Sequence, residues 1–198
     1  MPTDTNELDK LRVAKRKLDF AVNNERSTRW CLSLWSYFIR LRDNHRCVMC
    51  GSTRVLHAHH IWRKTTYPKG RLEPGNGITL CEKCHAVPHA KFNRQPDLQQ
   101  PLDAQGGDDQ DYMAAMWKAL VRDADKRNLD HEEFYFIRDE MLQFFAGVQG
   151  YEHLYWAVQR REITRLQMAY EIWRCMPEVF YENFVGELIR LNLGPNCR

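Results

Sequence analysis

The chain has 198 residues, of which 43% are hydrophobic, 28% charged and 12% aromatic. This composition is typical of a folded protein and excludes a disordered or low-complexity chain. No apolar run approaches the roughly 18–20 residues that a membrane-spanning helix requires. Residues 1–24 are charged throughout and lack the apolar stretch of a secretory signal. We therefore expect a cytoplasmic protein without a membrane partner.

The net charge of +3 conceals an uneven distribution along the chain. Residues 1–95 contain 18 Lys and Arg against 8 Asp and Glu, a net charge of +10. Residues 96–198 contain 11 against 18, a net charge of −7. A basic half favours a polyanionic partner, and an acidic half disfavours one. Charge alone does not identify the polyanion.

The first 94 residues predict helices followed by a small strand-loop-strand unit. Residues 6–23 carry apolar groups loosely at helical spacing, and a second helix capped by Ser27 or Thr28 should end near residues 43–44. Short strands are expected at 54–61 and 78–80, and the Pro- and Gly-rich segment between them is a loop. A short helix should follow through residue 92.

The second half of the sequence predicts a linker and a helical domain. Residues 95–110 contain two prolines and few large apolar groups, which is typical of a linker. Helical periodicity follows near 111–126, 130–147, 151–175 and 177–193. The predicted organisation is a helical region at 1–45, a small module at 46–94, the linker, and an acidic helical domain at 111–198. The aromatic residues of that domain indicate a helix-bundle core, and its role is scaffolding, self-association or partner docking.

Four of the seven cysteines form two pairs with the same spacing. The pairs are Cys47-Val-Met-Cys50 and Cys81-Glu-Lys-Cys84. A reducing cytosol disfavours disulfides, and two such pairs are typical of a closed, structural zinc site with four thiolate ligands. The alternative, four unrelated buried cysteines, does not explain the repeated spacing.

Histidines are concentrated around these cysteines. Six of the eight in the chain lie between residues 45 and 89. A protein core usually holds single, satisfied imidazoles, whereas a dense group is typical of a metal site. His57, two residues before His59 on a strand, is interpreted as a packing or hydrogen-bonding group, and His45 is left unassigned.

The order of these residues resembles the HNH endonucleases of the ββα-metal class, with phage-type members most similar in size and motif. The matching residues are Cys47-x2-Cys50, His59-His60-Ile61, Asn76-Gly77-Ile78-Thr79-Leu80-Cys81 and Cys84-His85. The resemblance covers roughly residues 30–94. It implies an α+β, mostly α, chain in which an HNH module with two zinc knuckles lies between N-terminal helices and a C-terminal helical domain.

The resemblance also implies a role for each motif residue. His60 corresponds to the general base, and His59 and His85 correspond to ligands of a catalytic divalent cation, which the sequence leaves open among Mg, Mn, Ni and Zn. Asn76 corresponds to the residue that ties the connecting loop and helps orient the base. His89 is a further candidate ligand, although Pro88 disfavours a continuous helix, and an exposed or phosphate-facing imidazole is the alternative.

Basic residues near this motif are candidates for DNA contacts. They are Arg63, Lys64, Lys69, Arg71, Lys91 and Arg94. Together they fit sequence-independent neutralisation of phosphates, although each alone is more often a solvated surface charge. Trp62 either packs or stacks on a base.

The leading hypothesis is a metal-dependent endonuclease that hydrolyses DNA with one catalytic metal and a histidine base. One alternative is a non-catalytic zinc-binding module that binds nucleic acid. Another is a conditional nuclease effector whose helical domain docks a protein partner.

Overall fold

The computed structural model describes residues 4–64, 67–89, 110–174 and residue 186. Its α-helices are α1 (Thr5–Asn23), α2 (Thr28–Arg42), α3 (Glu82–Ala86), α4 (Gln110–Arg127), α5 (His131–Phe134), α6 (Asp139–Gln149), α7 (Glu152–Gln159) and α8 (Arg165–Arg174). Two strands, β1 (Leu56–His60) and β2 (Gly77–Cys81), form the sheet. The described chain is therefore α+β and mostly α, as predicted. None of its described helices has the length and apolar character needed to cross a membrane.

The two N-terminal helices form where the sequence predicts them. The side chain of Ser27 caps α2 by accepting a hydrogen bond from the backbone N–H of Trp30 at 3.4 Å. Trp35, Phe38 and Ile39 of α2 are buried. This apolar face covers the sheet, and α1 packs along α2.

The strands and α3 form a ββα unit. β1 and β2 are antiparallel, with His60 opposite Gly77 and Leu56 opposite Cys81. The connecting loop contains two 3₁₀ turns, Pro68–Leu72 and Pro74–Asn76. α3 ends at Ala86 and a 3₁₀ turn, Val87–His89, follows, because Pro88 cannot continue a regular helix. The expected helix through residue 92 is thus shorter within the described chain.

The C-terminal helices are more broken than periodicity predicts. The expected helix at 130–147 is two helices, because residues 135–138 leave helical geometry and pair with the loop before β2. In that pairing Gly75 N–H donates to the carbonyl of Phe136 at 2.9 Å, and Arg138 N–H donates to Glu73 Oε2 at 3.1 Å. The expected helix at 177–193 lies outside the described residues, apart from residue 186.

A reciprocal cap divides the expected helix at 151–175. Thr164 N–H donates to Gln167 Oε1 at 2.8 Å, and Gln167 N–H donates to Thr164 Oγ1 at 3.2 Å. This capping box starts a new helix at residue 165. Its Thr-x-x-Gln pattern is present in the sequence and would have located the break.

One apolar core joins the ββα unit to the acidic helices. Trp62, at the end of β1, is buried and stacks on Trp173 of α8 with ring centroids 4.8 Å apart. Its ring also meets Phe144 and Phe145 of α6 edge-on. Trp62 therefore packs rather than stacking on a base. The domain boundaries stay a prediction, and most of the expected linker lies outside the described residues.

Candidate functional site

The four cysteines of the two pairs converge on one point. Their sulfur atoms all lie within 4.8 Å of one another, and the sulfurs of Cys50 and Cys81 are 3.6 Å apart. A tetrahedral ion with metal–sulfur bonds of about 2.3 Å needs sulfurs roughly 3.8 Å apart. The described cluster fits such an ion.

Local backbone turns create this cluster. Gly51 adopts a φ of +77°, and its N–H donates to the carbonyl of Cys47 at 2.7 Å. The left-handed conformation favours glycine here and returns the chain after the first pair. Cys81 ends β2, and the N–H of Cys84 in α3 lowers the pKa of the Cys81 thiol to about 7. The thiolate that a metal requires is thereby favoured at this position.

A second cluster is made by histidines on one side of the sheet. His57 and His59 alternate along β1 and therefore share a face. The ring of His85, from α3, lies 5.1 Å from that of His59 in an edge-on arrangement and 4.9 Å from that of His57 in a stacked one. The structure thus brings together the two expected ligands, His59 and His85. The stacking of His57 on His85 agrees with the packing role expected of His57, and the described histidines do not form a three-residue metal group like that of the cysteines.

His89 is the last residue of the 3₁₀ turn that follows α3. Its backbone belongs to Val87–His89, and its side chain lies outside the described residues. Its role as a ligand stays a prediction.

His60 has different surroundings from its neighbour His59. Its ring lies flat on Trp35 of α2, with centroids 4.1 Å apart and planes 5° from parallel. Its Nε2 is 2.8 Å from the carbonyl oxygen of Arg71. Because a carbonyl only accepts hydrogen bonds, Nε2 carries the proton and the lone pair of the neutral ring is on Nδ1. Among the described residues, Nδ1 has no hydrogen-bond partner.

Burial keeps His60 in its neutral form. Desolvation lowers the pKa of His60 below its ordinary value of 6.5, and the positive charge of Lys64 lowers it further. The hydrogen bond to the Arg71 carbonyl raises the pKa of His60, but by less than desolvation and Lys64 lower it. The neutral imidazole, which alone can accept a proton, is therefore favoured at physiological pH.

Asn76 ties the connecting loop to the sheet. Its side chain is buried, accepts from the N–H of Trp62 at 2.8 Å and donates to the carbonyls of Trp62 at 3.0 Å and Gly70 at 3.2 Å. These contacts hold both ends of the loop segment that follows His60. The contacts of Asn76 are with backbone, so it is a positioning residue in this geometry.

Sequence reasoning did not identify the support of the His60 ring. Trp35 Nε1 donates to the carbonyl of Glu73 at 3.1 Å, which fixes the indole plane. A Cβ on Gly77 would lie 2.6 Å from an atom of Trp35 and from one of Ile39, so glycine is required for α2 to approach β2. The sequence shows a glycine after Asn76, but it does not show that Trp35 and Ile39 of α2 pack against this glycine.

The expected DNA-contacting cations are only partly described. Lys64 and Lys69 are exposed, while Arg63 and Arg71 are partly buried. Arg71 Nη2 lies 3.5 Å from Thr28 Oγ1, so the loop carrying the His60 hydrogen-bond acceptor reaches the start of α2. Lys91 and Arg94 lie outside the described residues.

The comparison with protein families agrees with this geometry. No curated protein and no solved structure matches the chain. A family model does match, over less than a quarter of the 198 residues. It spans both cysteine pairs, both strands, α3 and every histidine of the site. Residues 47–91 match the family model of the HNH endonucleases, and the chain therefore contains an HNH endonuclease domain.

Proposed function

We propose that the protein is a metal-dependent endonuclease that hydrolyses phosphodiester bonds in DNA, with His60 as the general base. The observation that carries this proposal is the setting of His60. The ring is neutral, is held in one tautomer by the Arg71 carbonyl and is fixed in orientation by Trp35. An imidazole with one nitrogen anchored and the other free is suited to taking a proton from water.

The protein's own groups divide the work of the reaction. His60 Nδ1 accepts the proton of the attacking water, and the bond from Nε2 to Arg71 stabilises the resulting imidazolium. Asn76 holds the loop so that this carbonyl stays within hydrogen-bond distance of Nε2. Lys64, exposed and close enough to influence the charge of His60, contributes positive potential for a phosphate.

We further assign a divalent cation to the histidine cluster, whose member His59 is the chain neighbour of His60. His59 and His85 are the proposed ligands, and His89 is a third candidate. Neutral imidazoles accept Mn, Ni and Zn readily, and Mg is a weaker fit for nitrogen ligands. Such an ion supplies Lewis-acid stabilisation of charge on the phosphate and the leaving oxygen.

We assign the cysteine cluster to a structural zinc ion. Four thiolates leave no open coordination position for a substrate, which is characteristic of structural rather than catalytic zinc. The ion replaces part of the apolar core that so short a ββα unit lacks.

A plasmid-nicking assay tests the proposed activity. Supercoiled DNA is incubated with the wild-type protein in Mg, Mn, Ni or Zn, and with His85→Ala and His153→Ala. His153 is exposed on α7, away from the HNH residues, and serves as the matched control. We expect metal-dependent nicking by wild type and by His153→Ala, and a loss of about 10–100-fold in His85→Ala. Binding of DNA without nicking in any metal would contradict the proposal and favour a binding module.

A further inference from the structure

An open groove runs between α1 and α2, outside the HNH domain. Its volume is about 630 Å³, within the range of roughly 300–1,000 Å³ that is typical of small-ligand sites. Phe20 of α1 and Trp30 of α2 line it and are 60% and 55% exposed. Large aromatic side chains seldom remain this exposed side by side, which marks the groove as a contact surface.

Cations surround these aromatic rings. Arg16, Lys17 and Arg26 line the groove, and in the described part of the chain no carboxylate lines it. None of the three forms a salt bridge with another described residue. The nearby carboxylate of Asp19 is instead paired with Lys15, at 2.7 Å. Uncompensated positive charge beside exposed aromatic rings favours a ligand that is both anionic and flat.

The groove shares α2 with the proposed catalytic histidine. Trp30 and Trp35 are separated by about 7.5 Å along the helix axis and by about 140° around it, so they face different sides of α2. Trp35 stacks on His60, and Thr28 at the start of α2 lies 3.5 Å from Arg71, whose carbonyl holds the same histidine. A DNA strand bound at both places would therefore pass around the first turn of α2, where Thr28 meets Arg71.

We infer that this groove binds an unpaired nucleotide segment of the DNA. A base stacks on Trp30 and Phe20, and its flanking phosphates pair with Arg16, Lys17 and Arg26. An unpaired base presents a free face for stacking, whereas the bases of a duplex are already stacked on one another. The inference rests on the proposed function only in taking DNA as the substrate.

Binding measurements separate this inference from the proposed activity. All proteins carry His60→Ala so that DNA is not cut, and fluorescence anisotropy compares a blunt duplex with a duplex bearing a single-stranded overhang. The groove variants are Trp30→Ala and Arg16→Gln. The matched controls are Trp156→Ala, which removes a 58% exposed tryptophan of α7, and Arg122→Gln, which removes an exposed arginine of α4.

We expect the two groove variants to weaken binding of the overhang substrate about 5–20-fold and to leave blunt-duplex binding within twofold. The two controls should match the parent on both substrates. Equal overhang affinity in groove and control variants would overturn the inference. A change from dimer to monomer in Trp30→Ala, seen by sedimentation, would overturn it too, because a second copy would then occupy the groove.

The outcomes of the two assays are independent. Overhang binding that depends on Trp30, together with absence of nicking by wild type, would uphold the groove and refute only the nuclease. Nicking with no dependence of overhang binding on Trp30 or Arg16 would refute only the groove. Because Trp30 and Arg16 are on the surface, their variants should fold, and circular dichroism verifies this.

Discussion

The four-cysteine cluster and the histidine site lie on the same short ββα unit but are held in place in different ways. The cysteines are placed by turns within a few residues of them, such as the left-handed Gly51. His60 is placed by Trp35, 25 residues earlier, and by the carbonyl of Arg71, 11 residues later. Each cysteine pair is therefore shaped locally, and the pairing of β1 with β2 brings the two pairs together. The geometry of His60 depends instead on packing against α2 and the connecting loop.

The difference extends to the acidic helices. Glu73, whose carbonyl accepts from Trp35, also binds Arg138 through its carboxylate, with Nε to Oε1 at 3.1 Å. Burial raises the pKa of Glu73 to about 7, and its contact with Arg138 opposes that rise. The helical half thus braces the loop that carries the His60 acceptor through an ion pair. It meets the cysteine cluster through the hydrogen bond that the Tyr112 hydroxyl donates to the carbonyl of Cys84 at 3.2 Å.

Removing one cysteine should break the local side of this comparison and produce the largest effect. In Cys50→Ser, we expect loss of the bound zinc and of cooperative folding of the ββα unit, because structural zinc binding contributes on the order of 10 kcal/mol to such units. Metal analysis and thermal circular dichroism measure both.

Cys31→Ser is the matched control, since Cys31 is buried but lies outside the cluster, with its sulfur 3.5 Å from the carbonyl of Arg26. It should keep its zinc and lose about 1 kcal/mol or less of stability. A folded Cys50→Ser protein with unchanged zinc content would refute the structural-zinc assignment.

Substitution of Asn76 tests the packing of the connecting loop around His60. In Asn76→Ala, the N–H of Trp62 and the carbonyls of Trp62 and Gly70 lose their partner in a buried setting. We expect a decrease of roughly 2–4 kcal/mol in the free energy of unfolding, with zinc retained. Urea denaturation, followed with metal analysis, measures the two quantities separately. Unchanged stability would show that these hydrogen bonds do not hold the loop, and loss of zinc in parallel would show that the loop and the cysteine cluster are not independent.

Lys64→Gln should give the smallest effect, a shift in pH dependence. The cleavage rate falls as His60 becomes protonated, so the acid limb of kcat/KM reports the pKa of His60 in the free protein. Burial and the charge of Lys64 lower the pKa of His60, so this limb should lie below pH 6.5 in the wild-type protein. Removal of the charge should move the limb to higher pH, by a few tenths of a unit. Saturating catalytic metal is used throughout, and a shift to lower pH would contradict the assigned electrostatics.

The sequence predicted the parts of the fold whose signals are local. Repeated cysteine spacing located the cysteine cluster, and the choice of Ser27 or Thr28 as a cap located the start of α2. Periodicity correctly indicated helices after residue 110 but merged α5 with α6 and α7 with α8. The first break exists because residues 135–138 pair with the loop at Glu73 and Gly75, which no local pattern records.

The residues of the candidate site were named from the motif, whereas the contacts that support them were not. Motif resemblance named His59, His60, Asn76 and His85, yet sequence spacing did not reveal that the ring of His57 stacks on His85. The sequence likewise does not predict that the ring of Trp35 stacks on His60, because many helices carry a buried tryptophan. Such contacts arise from how α2 crosses the sheet over Gly77, which depends on the whole core.

The most direct test of the central claim is the single-turnover cleavage rate of His60→Ala, with bound metal measured in the same sample. Because the base is removed while the cysteine clamp and the histidines at 59 and 85 remain, we predict a rate about 10²–10⁴-fold below wild type at equal metal content. A rate within twofold of wild type would show that another group takes the proton from water and would contradict this account.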